Sequence, residues 1–100
     1  IDRGDLSKDI NLINVPVAQR KIQKLATKKQ KKVYVATNLL ESMVEKSYPT
    51  RSELNDIYNC LELGANGLVL AAETAVGKWP LDCVKMLSAI IKRYEKENKK

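Results

Sequence analysis

Apolar positions along the chain fall into two periods that alternate. After Asn14, Val15-Pro16 reads as a helix start, and Val15, Ala18, Ile22, Leu25 and Ala26 recur at the spacing of one helical face. The lysine-rich stretch Lys28-Lys29-Gln30-Lys31-Lys32 ends that helix. Val33-Tyr34-Val35-Ala36 is a short β-branched and apolar run between polar residues, the signature of a buried strand, and Leu39 to Val44 suits a brief helix after it. Thr50 and Glu53 stand at the spacing of a capping box, in which the threonine accepts from a free backbone amide and the glutamate reaches back. The helix they open has Leu54, Ile57, Tyr58 and Leu61 on its apolar face, and Gly64 falls where a left-handed residue would end it. Gly67 to Ala71 reads as a second buried strand. A last helix begins near Pro80, with Leu81, Val84, Leu87, Ile91 and Tyr94 on one face, and runs into the charged tail.

Helix, strand, helix, strand, helix, with nearly continuous apolar strands, predicts an α/β fold built of parallel βαβ units. A parallel strand presents donors and acceptors on both edges, and two such strands cannot satisfy one another. Ile1-Asp2-Arg3-Gly4-Asp5 also reads like the end of a strand whose apolar body is missing. The expectation is a piece of a larger α/β protein.

Composition changes this picture little. The 100 residues are 44% hydrophobic and 30% charged, the balance of a folded domain. No apolar run approaches the roughly 20 residues needed to cross a bilayer, and the first residues lack a signal-peptide layout, so neither membrane nor export is expected. Cys60 and Cys83 stand alone within apolar helical patterns, without the spacing of a metal or redox pair, and read as reduced core thiols. The net charge of +6 admits nucleic acid, anionic lipid or a phosphorylated small molecule as partners. The excess lies at helix ends, where cations complement the dipole, and no aromatic residues are interleaved with the lysines, so no nucleic-acid partner is expected.

Ligands of parallel sheets and barrels bind where strands end and helices begin. Three segments qualify: Arg3-Gly4-Asp5-Leu6, Thr37-Asn38 and Glu73-Thr74-Ala75. If their strands are parallel neighbours, the three meet on one face. From the residues alone, Asp5 is a metal ligand, a turn residue or a helix cap. Thr37 is a substrate contact or a strand-end hydroxyl, and Glu73 orients water or bonds a helix terminus.

The same segments, in order and at similar separations, resemble the landmarks of the pyruvate kinases. Arg3-Gly4-Asp5-Leu6 is similar to that family's Arg-Gly-Asp-Leu-Gly, and Ala36 to Met43 to its Ala-Thr-Gln-Met-Leu-Glu-Ser-Met. Pro49-Thr50-Arg51-Ser52-Glu53 resembles Pro-Thr-Arg-Ala-Glu, and Glu73-Thr74-Ala75 with Gly77 and Pro80 resembles its Ser-Gly-Glu-Thr-Ala segment and the glycine and proline after it. The resemblance implies a partial TIM (β/α)8 barrel, residues 1–100 spanning the end of the sixth strand through the eighth helix, with no second domain. It also implies a parent enzyme that transfers a phosphoryl group from phosphoenolpyruvate to ADP in glycolysis, with magnesium or manganese and potassium, as a cytosolic homotetramer. By the same resemblance Asp5 is a metal ligand, Gly4, Asp5 and Thr37 bind substrate, and Glu73 is a candidate for a catalytic role.

The motifs depart from the family at Ser7, where it has glycine, at Asn38, where it has glutamine, and at Ala71-Ala72, where it has Ser-Gly. Alanine can neither donate nor relay a proton. Two expectations therefore stand together: a working phosphotransferase whose isolated segment is inactive, and a barrel that binds phosphoenolpyruvate or regulates without turnover.

Overall fold

The computed structural model describes residues 1–36 and 39–98. Helix α1 is Arg3–Asp9, α2 Val15–Lys28, α3 Arg51–Glu62, α4 Ala72–Ala75 and α5 Pro80–Asn98; the strands are β1, Tyr34–Ala36, and β2, Gly67–Val69. Two 3-10 turns, Leu12–Asn14 and Glu41–Val44, lie between them.

β1 and β2 pair in parallel with Tyr34 opposite Gly67, Val35 opposite Leu68 and Ala36 opposite Val69. On the other side of β1, Asp2 bridges Ala36 in parallel, the Ala36 N–H donates to the Ile1 carbonyl across 2.8 Å, and the amino group of Ile1 donates to the Tyr34 carbonyl. Ile1 and Asp2 thus pair with β1 in parallel, and β1 lies between them and β2. The α/β class and the parallel neighbours expected from the sequence are both present.

α3 starts as its residues dictate. Thr50 Oγ1 accepts the Glu53 N–H at 3.2 Å and Glu53 Oε1 accepts the Thr50 N–H at 2.9 Å, closing the capping box. At the other end Gly64 takes φ of +92°, the left-handed geometry that costs glycine least. α3 buries Ile57, Cys60 and Leu61. With Val35, Leu39, Leu40, Met43 and Cys83 they form the core, against which Leu68, Met86, Leu87, Ile90, Ile91 and Tyr94 pack. Tyr58 and Tyr94 meet edge to face with centroids 5.3 Å apart, joining α3 to α5.

Helix α2 is rotated from the face its apolar spacing predicts, and α5 departs from its predicted face only near its start. α2 buries Val15, Gln19 and Gln23, while Ile22 and Leu25 are 41% and 54% exposed. The glutamines are tolerated because their amides are used: Gln19 Nε2 donates to Gln23 Oε1 at 3.0 Å and to Cys60 Sγ at 3.2 Å, and Gln23 Nε2 donates to the Cys60 carbonyl at 3.1 Å. These bonds orient α2 on α3. α5 keeps Leu87, Ile91 and Tyr94 against the core as its spacing predicts, but near its start it buries Cys83 and leaves Leu81 and Val84 exposed. The strands are less buried than their composition suggests, with Tyr34 and Val69 exposed.

Candidate functional site

The three parallel segments end at one edge of the sheet, and the chain turns into a helix or a 3-10 turn soon after each. At the first end, Asp2 caps α1: its Oδ1 accepts the N–H groups of Gly4 and Asp5 at 2.9 and 3.2 Å. From sequence, Ile1 to Asp5 reads as the end of a strand; the Asp2 cap instead makes Arg3 to Leu6 the first turn of α1, because a carboxylate satisfies the free amides of a helix start. Gly4 is half-buried, and its carbonyl accepts the Ser7 hydroxyl at 2.8 Å. Asp5 is exposed and stands 3.5 Å from the Lys8 ammonium group.

Arg3 turns the other way. Its Nη1 donates to both carboxylate oxygens of Asp56, at 2.8 and 2.7 Å, and ties α1 to α3. No local signal in the sequence pairs two residues 53 positions apart.

At the second end, Thr37 and Asn38 lie outside the described residues. Beyond them Leu39 and Leu40 are buried, and the turn Glu41–Val44 is held by Glu53. Glu53 Oε2 accepts the Ser42 N–H at 2.8 Å and Oε1 accepts the Ser42 hydroxyl at 2.5 Å. Burial acts to raise the Glu53 pKa, but the bonds from Ser42 and Thr50 outweigh it and hold the carboxyl below the ordinary glutamate range. Glu53 therefore caps α3 and also fixes the segment that follows β1. The capping spacing of Thr50 and Glu53 signals the first role; no local pattern signals the second, because Ser42 lies 11 residues away.

At the third end, Glu73 is 2% exposed. Its Oε2 accepts the Leu40 N–H and its Oε1 the Ala71 N–H, each at 2.9 Å, so one side chain joins the segments that follow β1 and β2. The Glu73 carbonyl in turn accepts from Cys83 Sγ at 3.7 Å. Ala71 and Ala72 are exposed and bring no hydroxyl to this end.

Cys60 and Cys83 are buried free thiols, as expected. Burial, and for Cys60 the charge of Asp56, for Cys83 that of Glu73, push both upward in pKa, away from the thiolate that a nucleophile requires. Among the described residues, no three of His, Cys, Asp and Glu gather closely enough to hold a metal ion. Asp5 is a hard oxygen ligand of the kind magnesium takes, but it and its described neighbours do not make a site. No described helix is long and apolar enough to cross a membrane.

Comparison with known proteins agrees with the order of the motifs. The family model described as pyruvate kinase, barrel domain, matches residues 1–84. The chain is 48% identical over 97 residues to the pyruvate kinase of Thermotoga maritima, covering 97% of this chain and 21% of that protein. It is 42% identical over 98 residues to the pyruvate kinase of Mycobacterium tuberculosis, covering 98% and 21%. It is 41% identical over 95 residues to the chloroplastic pyruvate kinase isozyme G of Nicotiana tabacum, covering 95% and 17%. The chain thus spans about a fifth of the length of these relatives.

Proposed function

The chain belongs to the pyruvate kinase family through its barrel domain, and from that premise we propose that it is the closing part of a phosphoenolpyruvate-binding (β/α)8 barrel, from the end of the sixth strand through the eighth helix. The full-length protein transfers the phosphoryl group of phosphoenolpyruvate to ADP, giving pyruvate and ATP in glycolysis, in the cytoplasm and as a homo-oligomer. The segment by itself is inactive. The observation that supports this reading is the parallel pairing of Asp2, β1 and β2, after which the described segments Arg3 to Leu6, Leu39 to Met43 and Glu73 to Ala75 follow in the order of the motifs.

In this reading Gly4, Asp5 and Thr37 line the phosphoenolpyruvate site. Asp5 supplies one oxygen to a magnesium or manganese ion whose other ligands come from outside the chain, with potassium as a second cation. Such ions neutralise charge on the transferring phosphoryl group. Glycine at position 4 lets a small anion approach the main chain.

A second reading rests on Ala71-Ala72. Without a hydroxyl there, the proton that completes pyruvate must come from water or another residue, or the barrel binds phosphoenolpyruvate without turning it over. A coupled assay of the full-length protein for pyruvate formation, with magnesium and potassium, separates the two. The expected result is turnover that Asp5→Ala abolishes together with divalent-metal affinity. Absence of turnover, with phosphoenolpyruvate binding detected calorimetrically, would establish the second reading, and unchanged metal affinity in Asp5→Ala would remove Asp5 from the metal site.

A further inference from the structure

A carboxylate that is almost completely buried needs a reason to be there, since removing it from water costs several kcal/mol unless its oxygens find donors. Glu73 finds them on two main-chain amides belonging to different strand ends: Leu40, three residues beyond Thr37, and Ala71, two residues beyond β2. The segment on either side of it is fixed as well. Ala71 caps the short helix α4 with its carbonyl, which accepts from the N–H groups of Thr74 and Ala75 at 3.1 and 3.0 Å. Lys78 N–H donates to the Val44 carbonyl at 3.3 Å, and a Cβ on Gly77 would lie 2.3 Å from the Glu73 carbonyl oxygen. Leu40, the other end of the tie, is itself fully buried in the core. The carboxylate is therefore a rigid strut between two segments that are separately anchored.

From this geometry we infer that Glu73 is a positioning residue: its carboxylate sets the spacing between the segments after β1 and β2, and does not itself exchange a proton with the substrate. The inference rests on the phosphotransferase reading above, because the segments that begin at Leu40 and Ala71, whose separation it fixes, belong to the motifs that reading places at the substrate. Near-attack geometry tolerates little error, and a displacement of about 1 Å is enough to cost roughly 100-fold in rate. A buried strut on which both strand ends depend controls displacements of that size.

The test is Glu73→Gln in the full-length protein. Glutamine keeps the shape but offers one acceptor, so one of the two amides faces an NH2 group in place of an oxygen. Hydrogen exchange read by mass spectrometry should be about 10-fold or more faster in the peptides carrying Leu40 and Ala71, in keeping with loss of a native hydrogen bond. kcat for pyruvate formation should fall about 10-fold or more with a smaller change in KM, and the pH–rate profile should keep its shape at reduced height. A variant that loses one limb of that profile would make Glu73 a proton-transfer group, and wild-type exchange at both amides would dissolve the strut; either result overturns the inference. If Glu73→Gln is recovered only as aggregate, Glu73→Asp replaces it: one methylene shorter, it should speed exchange at both amides and lower kcat although it can still exchange a proton, and a wild-type kcat would overturn the inference. A wild-type protein without turnover defeats the phosphotransferase reading alone: the strut is then judged on exchange, and its positioning role on whether Glu73→Gln weakens phosphoenolpyruvate binding.

Discussion

Arg3 and Asp56 form a two-point ion pair, one guanidinium nitrogen donating to both carboxylate oxygens, with the arginine side chain 14% exposed and the aspartate 34%. The pair spans the start of α1 and the middle of α3, so the residues just after the first strand end are held against a helix that begins after the second. Charge-assisted, partly desolvated bonds of this kind are stronger than exposed ion pairs.

Asp56→Ala should accordingly cost about 1–3 kcal/mol of local stability, and Asp56→Asn, which keeps one oxygen acceptor, less. The effect belongs at α1, where the Leu6 and Ile10 amides close the helix on the Asp2 and Leu6 carbonyls. Faster hydrogen exchange at those amides, with exchange in α5 unchanged, is the expected outcome. Equal exchange in variant and wild type would show that α1 does not depend on the pair.

Glu53 makes stability depend on pH in a direction set by its environment. Its carboxyl is held below the ordinary value of 4.5 by Ser42 and Thr50, against the opposing effect of burial. A group whose pKa is depressed on folding stabilises the native state above its unfolded pKa, and that contribution disappears as pH falls through the folded value. The Glu53 contribution should be complete at pH 7 and fade below about pH 4.5. Thr50→Ala should cost about 0.5–2 kcal/mol as a lost helix cap. Glu53→Gln should lower the melting temperature at pH 7 and flatten its decline toward pH 3. A melting curve as steep in acid as the wild type would assign the acid sensitivity to other carboxyls.

Gly77 is required by close approach and not by backbone angle. An added Cβ would meet the Glu73 carbonyl oxygen at 2.3 Å and the Val44 Cα at 3.4 Å, and main-chain atoms cannot swing aside as a side chain does. Gly77→Ala should destabilise by about 1–3 kcal/mol, the range for overpacking, and should disturb the Leu40 and Ala71 amides through Glu73. A Gly77→Ala protein with wild-type melting temperature would mean that the turn relaxes at no cost.

How far the sequence alone reaches can be judged from particular residues. The capping box at Thr50 and Glu53, the left-handed Gly64 and the starts of α2 and α5 arise from local chemistry and from period, which act over a few residues, and the parallel pairing follows from the alternation of strands with helices. The motif segments carry the family in the same way, since each is a short run of residues in fixed order. The rotation of α2 is different. Its apolar spacing favours Ile22 and Leu25 on the inner face, but Gln19 and Gln23 go there because Cys60, some 40 residues away, offers a thiol and a carbonyl to bond. α5 turns Cys83 inward and Leu81 outward for a similar reason, its partners being α3 and the Glu73 carbonyl.

The same division runs through the candidate site. That Asp5 and Glu73 lie just after strands is legible from the order of apolar runs and polar punctuation. That Glu73 holds the Leu40 and Ala71 amides, that Glu53 holds Ser42 as well as its own cap, and that Arg3 reaches Asp56 were decided only when distant segments met. A hydrogen bond requires approach to within about 3 Å, and nothing in a linear sequence determines which of many possible partners the packed chain will bring that near.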